Sequence, residues 1–439
     1  MPKFPAGQLT LLFDRDSPNS KTATAWAVAL FVLVSSILLA WVLIKIPIPE
    51  VQETSSWAYS AFRHGIYYPV KAFIEGHNPY DSQAYMSHYP VHDPFRPFLP
   101  MTLLIHFPLG YLPIKPAAAV FFCANLGLCL LMVWLSFRIA SVKITTAGVF
   151  LVGTLLLLSR PGLSNILLGE GTALVGAGAY VALYGKDKYP LLASLGFGLT
   201  CFKPQFGLPL GLLLLFSNHY RVAILGGLAA LLLSAGPVAL LWQRVGENQS
   251  FISLLAEGYH ASEHYLDSSP IRSSNRIDIK ALASRIVGEN LPPLSETLIA
   301  VSVLVLAGCL CFRLRLFPNA RKTSAELMIL AMLSCVYHQR YDFLLLIAPL
   351  VNLCANGDSP PWDQFPKLRW LAIGLMLLPG VNYISSTTGL QHLGFSVGSS
   401  FWIVLSSLNG LALVFLLVIY SIVAFRADFR PEPAGVKGA

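Results

Sequence analysis

"VYHQRYDFLLLIAPL", Val336 to Leu350, sets His338, Arg340 and Asp342 inside an otherwise apolar stretch. "AELMILAMLSC" precedes it and the apolar run continues to Cys354, so neither flank reads as a solvated loop. A charge at bilayer depth costs a few kcal/mol even on lenient insertion scales, and such residues usually mark a cavity or a functional site. Either one long helix carries three polar side chains in its middle, or the helix breaks there and the polar turn lies at a membrane face.

The rest of the chain supports a membrane setting. Of the 439 residues, 55% are hydrophobic and 12% charged, and mean hydropathy is +0.62. Soluble domains carry roughly 25% charged residues. Runs such as "TAWAVALFVLVSSILLAWVLI" and "SSLNGLALVFLLVIYSIVAF" are each long enough to cross about 30 Å of hydrocarbon as a helix. The first run is too long for a signal-peptide core and lacks a small-residue cleavage pattern after it, so it reads as a retained anchor. The formal net charge of +8 is assigned to cytoplasmic Lys and Arg rather than to nucleic-acid binding. All seven Cys lie in apolar stretches without metal spacing, so neither a disulfide framework nor a zinc site is implied.

The expected fold is an all-α polytopic membrane protein, one integral domain over 1–439 with about twelve transmembrane helices. The spans are placed at 24–46, 116–137, 144–160, 165–184, 190–202, 204–217, 222–242, 297–316, 325–337, 342–355, 368–387 and 401–425. Two pairs, 190–202 with 204–217 and 325–337 with 342–355, are short and read as half-helices. With cytoplasmic termini, the basic clusters Arg138/Lys143, Lys186/Lys188, Arg221, Arg313–Lys322, Lys367/Arg369 and Arg426–Lys437 all fall on one side. Merging either short pair would invert part of that pattern.

The outer side then receives two long loops, 47–115 and 243–296, together with Lys203 and the His338–Asp342 turn. In the first loop, "WAYSAFRHGIYYPVKAFIEG" has amphipathic spacing for an interfacial helix. "HNPYD" is a turn, since Pro79 restricts Asn78 to extended backbone and Asp81 can bond local amides. "MTLLIHFPLGYLP" is apolar but too short to span. In the second loop, His260, Glu263 and His264 have the spacing of a divalent-ion corner, but surface histidines four apart are common by chance. No metal is assigned there, and metal dependence stays open.

Several of these stretches resemble a known family. "YYPVKAFIEGHNPYD", then "FRPFLPMTLLIHFPLGYLP" and a span with Asn125, are similar to the start of glycosyltransferase family 87. Its members are polytopic C-type glycosyltransferases that use polyprenyl-phosphate mannose. "SNILLGEGTALV", "GFGLTCFKPQFGLPLGLLLL" and the opening stretch resemble later family segments, in family order across roughly residues 60 to 350. The departures are specific. Arg63 and His64 stand where the family carries the first-loop Asp that is its usual base. Glu170 replaces a Gln, and a Tyr-Pro-Pro element is reduced to Arg96-Pro97 and Pro100.

The resemblance implies sugar transfer from a polyprenyl-phosphate-linked donor, with no cofactor, to a glycolipid or glycan acceptor at the outer face of the cytoplasmic (inner) membrane. Such transfer needs a base for the acceptor hydroxyl, cations for the phosphate leaving group, and aromatic surfaces for the sugar. Asp93, Asp342 and Glu170 are the catalytic candidates, with Glu50, Glu53 and Asp81 as the other candidate acids in place of the first-loop Asp. Lys203, Arg340 and His338 are the candidates for the donor phosphate, although Arg340 and Asp342 would equally make an internal ion pair. Tyr67, Tyr68, Asn78, Tyr80, Asp81 and Tyr341 are candidates for substrate contact. The competing readings are a transporter or flippase of a polar or lipid-linked solute, whose broken helices also carry charge, and a catalytically inactive relative. The polar mass at one face and the absence of a convincing internal repeat weigh against transport.

Overall fold

The computed structural model describes residues 20–46, 58–95, 98–244, 250, 253–254, 269–357 and 359–427. Glu50, Glu53, Arg96, Pro97 and the His260–His264 corner lie outside them. Among the described residues the chain is all-helical, 77% helix without a strand; a single bridge joins Arg276 and Gln339.

Five helices are long and apolar enough to cross a membrane: Lys21–Lys45, Ile114–Ile139, Tyr220–Trp242, Pro293–Leu314 and Ser400–Arg426. Thr146–Leu158 and Arg160–Leu168 form a sixth crossing if counted as one span bent by 76°. Length and composition therefore give five or six crossings and do not reach twelve, because the remaining apolar sequence is cut into shorter helices. Lipid-facing character is plain on the outermost helices. Trp26, Ile44, Leu231 and Leu232 are among the large apolar side chains left bare, which only a hydrocarbon solvent makes favourable over such an area.

The cuts have local causes. At Ser159 the backbone is extended (φ −65°, ψ 151°) and its hydroxyl accepts from Gly162 N at 3.2 Å, so a new helix starts in another direction. The expected span 165–184 is two helices, Arg160–Leu168 and Thr172–Gly185. Gly169 ends the first in the left-handed region at φ +70°, and an ideal Cβ there would lie 2.6 Å from Phe62 Cβ. The expected break before Pro204 is present, between Pro190–Thr200 and Pro204–Phe216. So is the opening break: Arg321–Cys335 stops, residues 336–339 cross without helix, and a 3-10 segment Arg340–Leu346 leads into Ile347–Ala355.

The short helices pack by close backbone approach. Gly178 and Gly196 face one another so tightly that a Cβ on either would sit 2.7 Å from the other's carbonyl oxygen. Small residues at such crossings are a common means of helix association in membranes, where exclusion of water contributes little. The amphipathic stretch of the first loop forms Ser60–Phe62, a π-helical turn Arg63–Tyr67, and Tyr68–Ile74. It is packed nearly all round rather than lying with one face free, with Arg63, His64, Tyr67 and Tyr68 all buried.

The breaks collect at one end of the bundle. Glu170, Lys203, His338 and Asp342 meet there, and so do Arg160 and Ser385. The other end is basic, with Asp187 3.7 Å from His219 and 4.0 Å from Arg321, and Lys322 donating to Ala140 O at 2.8 Å.

Candidate functional site

Lys203 is the last residue before Pro204, held extended (φ −106°, ψ 107°) as a residue before proline should be. Its ammonium is turned inward and is 1% exposed. It donates to Glu170 Oε2 and to Thr172 Oγ1, both at 3.1 Å. Glu170 reaches it because Gly169 turns the chain between two helices, and Asn125 Nδ2 donates to the Glu170 carbonyl at 3.2 Å. Thr172 passes the contact on, its hydroxyl donating to Asp342 Oδ1 at 3.0 Å.

Asp342 is fully engaged. Its Oδ2 accepts from His338 Nδ1 at 3.0 Å and from Gln339 N at 2.9 Å, the latter closing a capping box with Gln339. The opening stretch thus pairs His338 with Asp342, four residues apart across the break. Since the carboxylate accepts at Nδ1, the proton is assigned to that nitrogen. Nε2 is buried and without a protein partner. Rings close the walls: Lys203 Nζ lies 5.7 Å from the Phe98 ring and 5.2 Å from Tyr341, and Phe206 meets His338 at 4.3 Å.

Phe98 also forms a wall of a second polar group. It stacks on Phe202 at 5.2 Å, and a Cβ at Gly65 would sit 3.4 Å from its ring. Beside Gly65, His64 Nδ1 meets Asp93 Oδ2 at 3.4 Å. The imidazole is buried while the Asp93 side chain is 40% exposed, so this pair opens outward. Burial, helped by the neighbouring Arg63 charge, holds the His64 pKa below its usual value against the opposing pull of Asp93. His64 Nε2 is likewise buried without a protein partner.

The other first-loop candidates are engaged in packing around this pair. Tyr67 OH donates to Leu112 O at 2.9 Å, Tyr80 OH to Phe98 O at 2.7 Å, and Tyr68 packs on Tyr67 and Tyr89. Asn78 Oδ1 accepts from Tyr80 N at 3.0 Å, and Asp81 caps Ser82–His88 by accepting from Ala84 N at 3.0 Å. The structure therefore gathers Glu170, Lys203, Asp342, His338 and Tyr341 in one cluster. Asp93 stands on the far side of Phe98, and Tyr67, Tyr68, Asn78, Tyr80 and Asp81 form the scaffold of the first loop.

Sequence reasoning missed Thr172, a plain helix-start threonine that links the two ion pairs, and it missed Asp278. Residues 275–278 of the second loop dock on the 338–340 turn. Ile277 N donates to His338 O at 3.1 Å, Arg340 N to Asn275 O at 2.9 Å, and His338 N to Asp278 Oδ2 at 3.4 Å. Arg276 grips Asp278 with Nε at 3.0 Å and Nη2 at 2.8 Å. Asp278 also caps Ile279–Val287 through Ala281 N at 3.0 Å. Burial opposes its charge, but the Arg276 guanidinium and these hydrogen bonds win and hold its pKa below the usual carboxylate value. The sequence offered one signal, an Asp two residues after an Arg at a helix start. Among the described residues no group of three or more His, Cys, Asp or Glu is placed to hold a metal ion.

The model of glycosyltransferase family 87 matches residues 99–349, more than half of the chain. Glu170, Lys203, Asp278, His338 and Asp342 lie within the match, whereas His64 and Asp93 precede it. No curated protein and no solved structure gives a significant match.

Proposed function

The chain belongs to glycosyltransferase family 87 and is a membrane glycosyltransferase; from that premise we propose that it transfers a hexose, mannose being the favoured sugar, from a polyprenyl-phosphate-linked donor. The acceptor is a glycolipid or glycan at the outer face of the cytoplasmic membrane, and the basic end of the bundle faces the cytoplasm. The observation that carries this reading is the chain Glu170–Lys203–Thr172–Asp342–His338, built where three helix breaks converge. A buried polar network of this kind, at one end of the bundle, is where a charged lipid headgroup can be desolvated and held.

In the reaction the acceptor hydroxyl oxygen attacks the anomeric carbon. The bond from that carbon to the phosphate oxygen breaks, polyprenyl phosphate leaves with the electron pair, and the hydroxyl proton passes to a base. The Asp93–His64 pair fills the base role, since it stands where relatives carry their acid and its imidazole is kept neutral and ready to accept a proton. Lys203 and His338 stabilise the departing phosphate together with Arg340. Glu170 and Asp342, both buried and engaged, hold Lys203 and His338 in place. Tyr341 and Phe98 offer ring faces beside Lys203.

The test is transfer of label from radiolabelled polyprenyl-phosphate mannose in membranes containing the full chain. Wild type is expected to transfer sugar, and Asp93→Ala and Asp342→Asn are each expected to lose about two orders of magnitude or more in rate. Undiminished transfer in both variants sinks the residue roles. Solute uptake by proteoliposomes without any sugar transfer instead supports transport.

A further inference from the structure

Arg160 is a buried cation that the site described above does not use. It is the first residue of Arg160–Leu168, immediately after the Ser159 bend, and is 3% exposed. Nη1 donates to Asn382 O and to Ser385 Oγ, the latter at 2.8 Å. Nη2 is buried without any protein partner. The polar groups around it are neutral amides and hydroxyls: Asn382 Nδ2 donates to Asn409 Oδ1 at 2.9 Å, and Asn409 Nδ2 to Ser385 Oγ at 3.4 Å. Among the described residues no ion pair neutralises Arg160. Its helix packs against the turn that carries Arg340.

Three features make this arrangement unfavourable for the empty protein. A guanidinium is desolvated without an acid. A second arginine, Arg340, lies on the turn packed against its helix. The first turn of a nine-residue helix adds its own positive end, where the macrodipole disfavours cations and favours anions. All three become favourable at once if an anion sits between the two arginines, and the planar guanidinium fork suits phosphate oxygens.

The surroundings say which phosphate. Asn382 and Ser385 belong to the segment after Pro366–Val381, where the helix ends and Val381, Tyr383 and Ile384 are 72%, 50% and 58% exposed. Tyr383 OH donates to Leu158 O at 3.3 Å, so this bare apolar rim adjoins the Ser159 bend. A buried cation directly behind an exposed apolar rim fits an anionic head with an apolar tail.

We propose that Arg160 and Arg340 together form the phosphate clamp of a lipid monophosphate, whose tail leaves the bundle past Val381, Tyr383 and Ile384. This deepens the reading of the protein as a polyprenyl-phosphate-dependent transferase and rests on it for the identity of the lipid. Lys203, already matched to Glu170, then faces the sugar-bearing oxygen while the two arginines hold the remaining phosphate oxygens.

The test measures binding of radiolabelled polyprenyl phosphate, without sugar, to the full chain in nanodiscs, with sugar transfer and the unfolding midpoint measured in parallel. Wild type is expected to bind, with affinity ~10-fold or more weaker in Arg160→Gln, as for loss of one charge-assisted contact, and intermediate in Arg160→Lys. Unlabelled polyprenol should fail to compete, and inorganic phosphate should compete only at far higher concentration. Equal competition by inorganic phosphate overturns the lipid assignment. Unchanged affinity in a folded Arg160→Gln chain makes Arg160 a brace for Asn382 and overturns the clamp, while transfer by wild type leaves the enzymatic reading standing. Arg160-dependent binding by a wild type that transfers no sugar does the reverse. Should Arg160→Gln fail to fold, Arg340→Gln decides, because Arg340 is only half buried; unchanged affinity there overturns the clamp equally.

Discussion

Replacing Lys203 with Met keeps the length of the side chain and removes its charge. The Lys203 and Glu170 side chains are 2% and 3% exposed and 3.1 Å apart, so solvent does little to screen either. Removing one partner of a buried pair leaves the other charge uncompensated, at a cost of about 3–5 kcal/mol. Replacing both, as in Lys203→Met with Glu170→Gln, leaves neither charge of this pair unmatched and is expected to cost about 1 kcal/mol or less. The double variant is then about 2–4 kcal/mol more stable than the Lys203 single, a factor on the order of 10² in the folded-to-unfolded ratio. Thermal unfolding in detergent, followed with a thiol-reactive dye, reads this directly because Cys129, Cys311 and Cys335 are buried. The single Lys203 variant should melt well below wild type and the double variant near it. Sugar transfer should stay low in both, since neither restores a cation. A single variant that melts with wild type, or a double variant no more stable than the weaker single, would refute the paired-charge account.

Three further outcomes follow from the same geometry. Gly169→Ala adds a Cβ at φ +70° against Phe62 and is expected to destabilise by about 2–3 kcal/mol, with transfer reduced because Glu170 moves with the turn; an unchanged melting profile contradicts the tight turn. His64 has its pKa held below the ordinary 6.5, so the fold favours its neutral form. Its contribution to stability is present above that value and is lost as pH falls through the lower folded value, and the acid limb of kcat/KM should lie below pH 6.5; a limb at or above 6.5 excludes His64 as the base. Asp278 has its pKa held below 3.8, so the stability it lends is present above 3.8 and lost as pH falls through the folded value. Asp278→Asn should cost about 3 kcal/mol by removing the carboxylate that Arg276 grips in a buried site, and should expose the 275–287 region to protease; undiminished protease resistance refutes the docking of the second loop.

Composition alone determined that this is a helical membrane protein, because apolar runs of this length with so few charges have no other favourable solvent. The breaks at Lys203–Pro204 and at His338–Asp342 were also legible, since proline geometry and the side-by-side count of basic residues are local properties. The break at Gly169 was not: an apolar run with one Gly-Glu-Gly interruption reads as continuous until Phe62 is seen to occupy the place of a side chain. Nor could the sequence say which carboxylate meets which cation. Arg340 lies two residues from Asp342, yet Asp342 is held by His338 and by Thr172, 170 positions away in sequence. Glu170 and Lys203, 33 positions apart, are joined because two helix ends are pressed together by their neighbours. The buried Arg160 carried no signal at all, as a single arginine beside a proline looks like a loop residue. Charge content and chain breaks are written locally, but the partner of a buried charge is chosen by packing, because only tertiary structure removes the water that would otherwise serve as its partner.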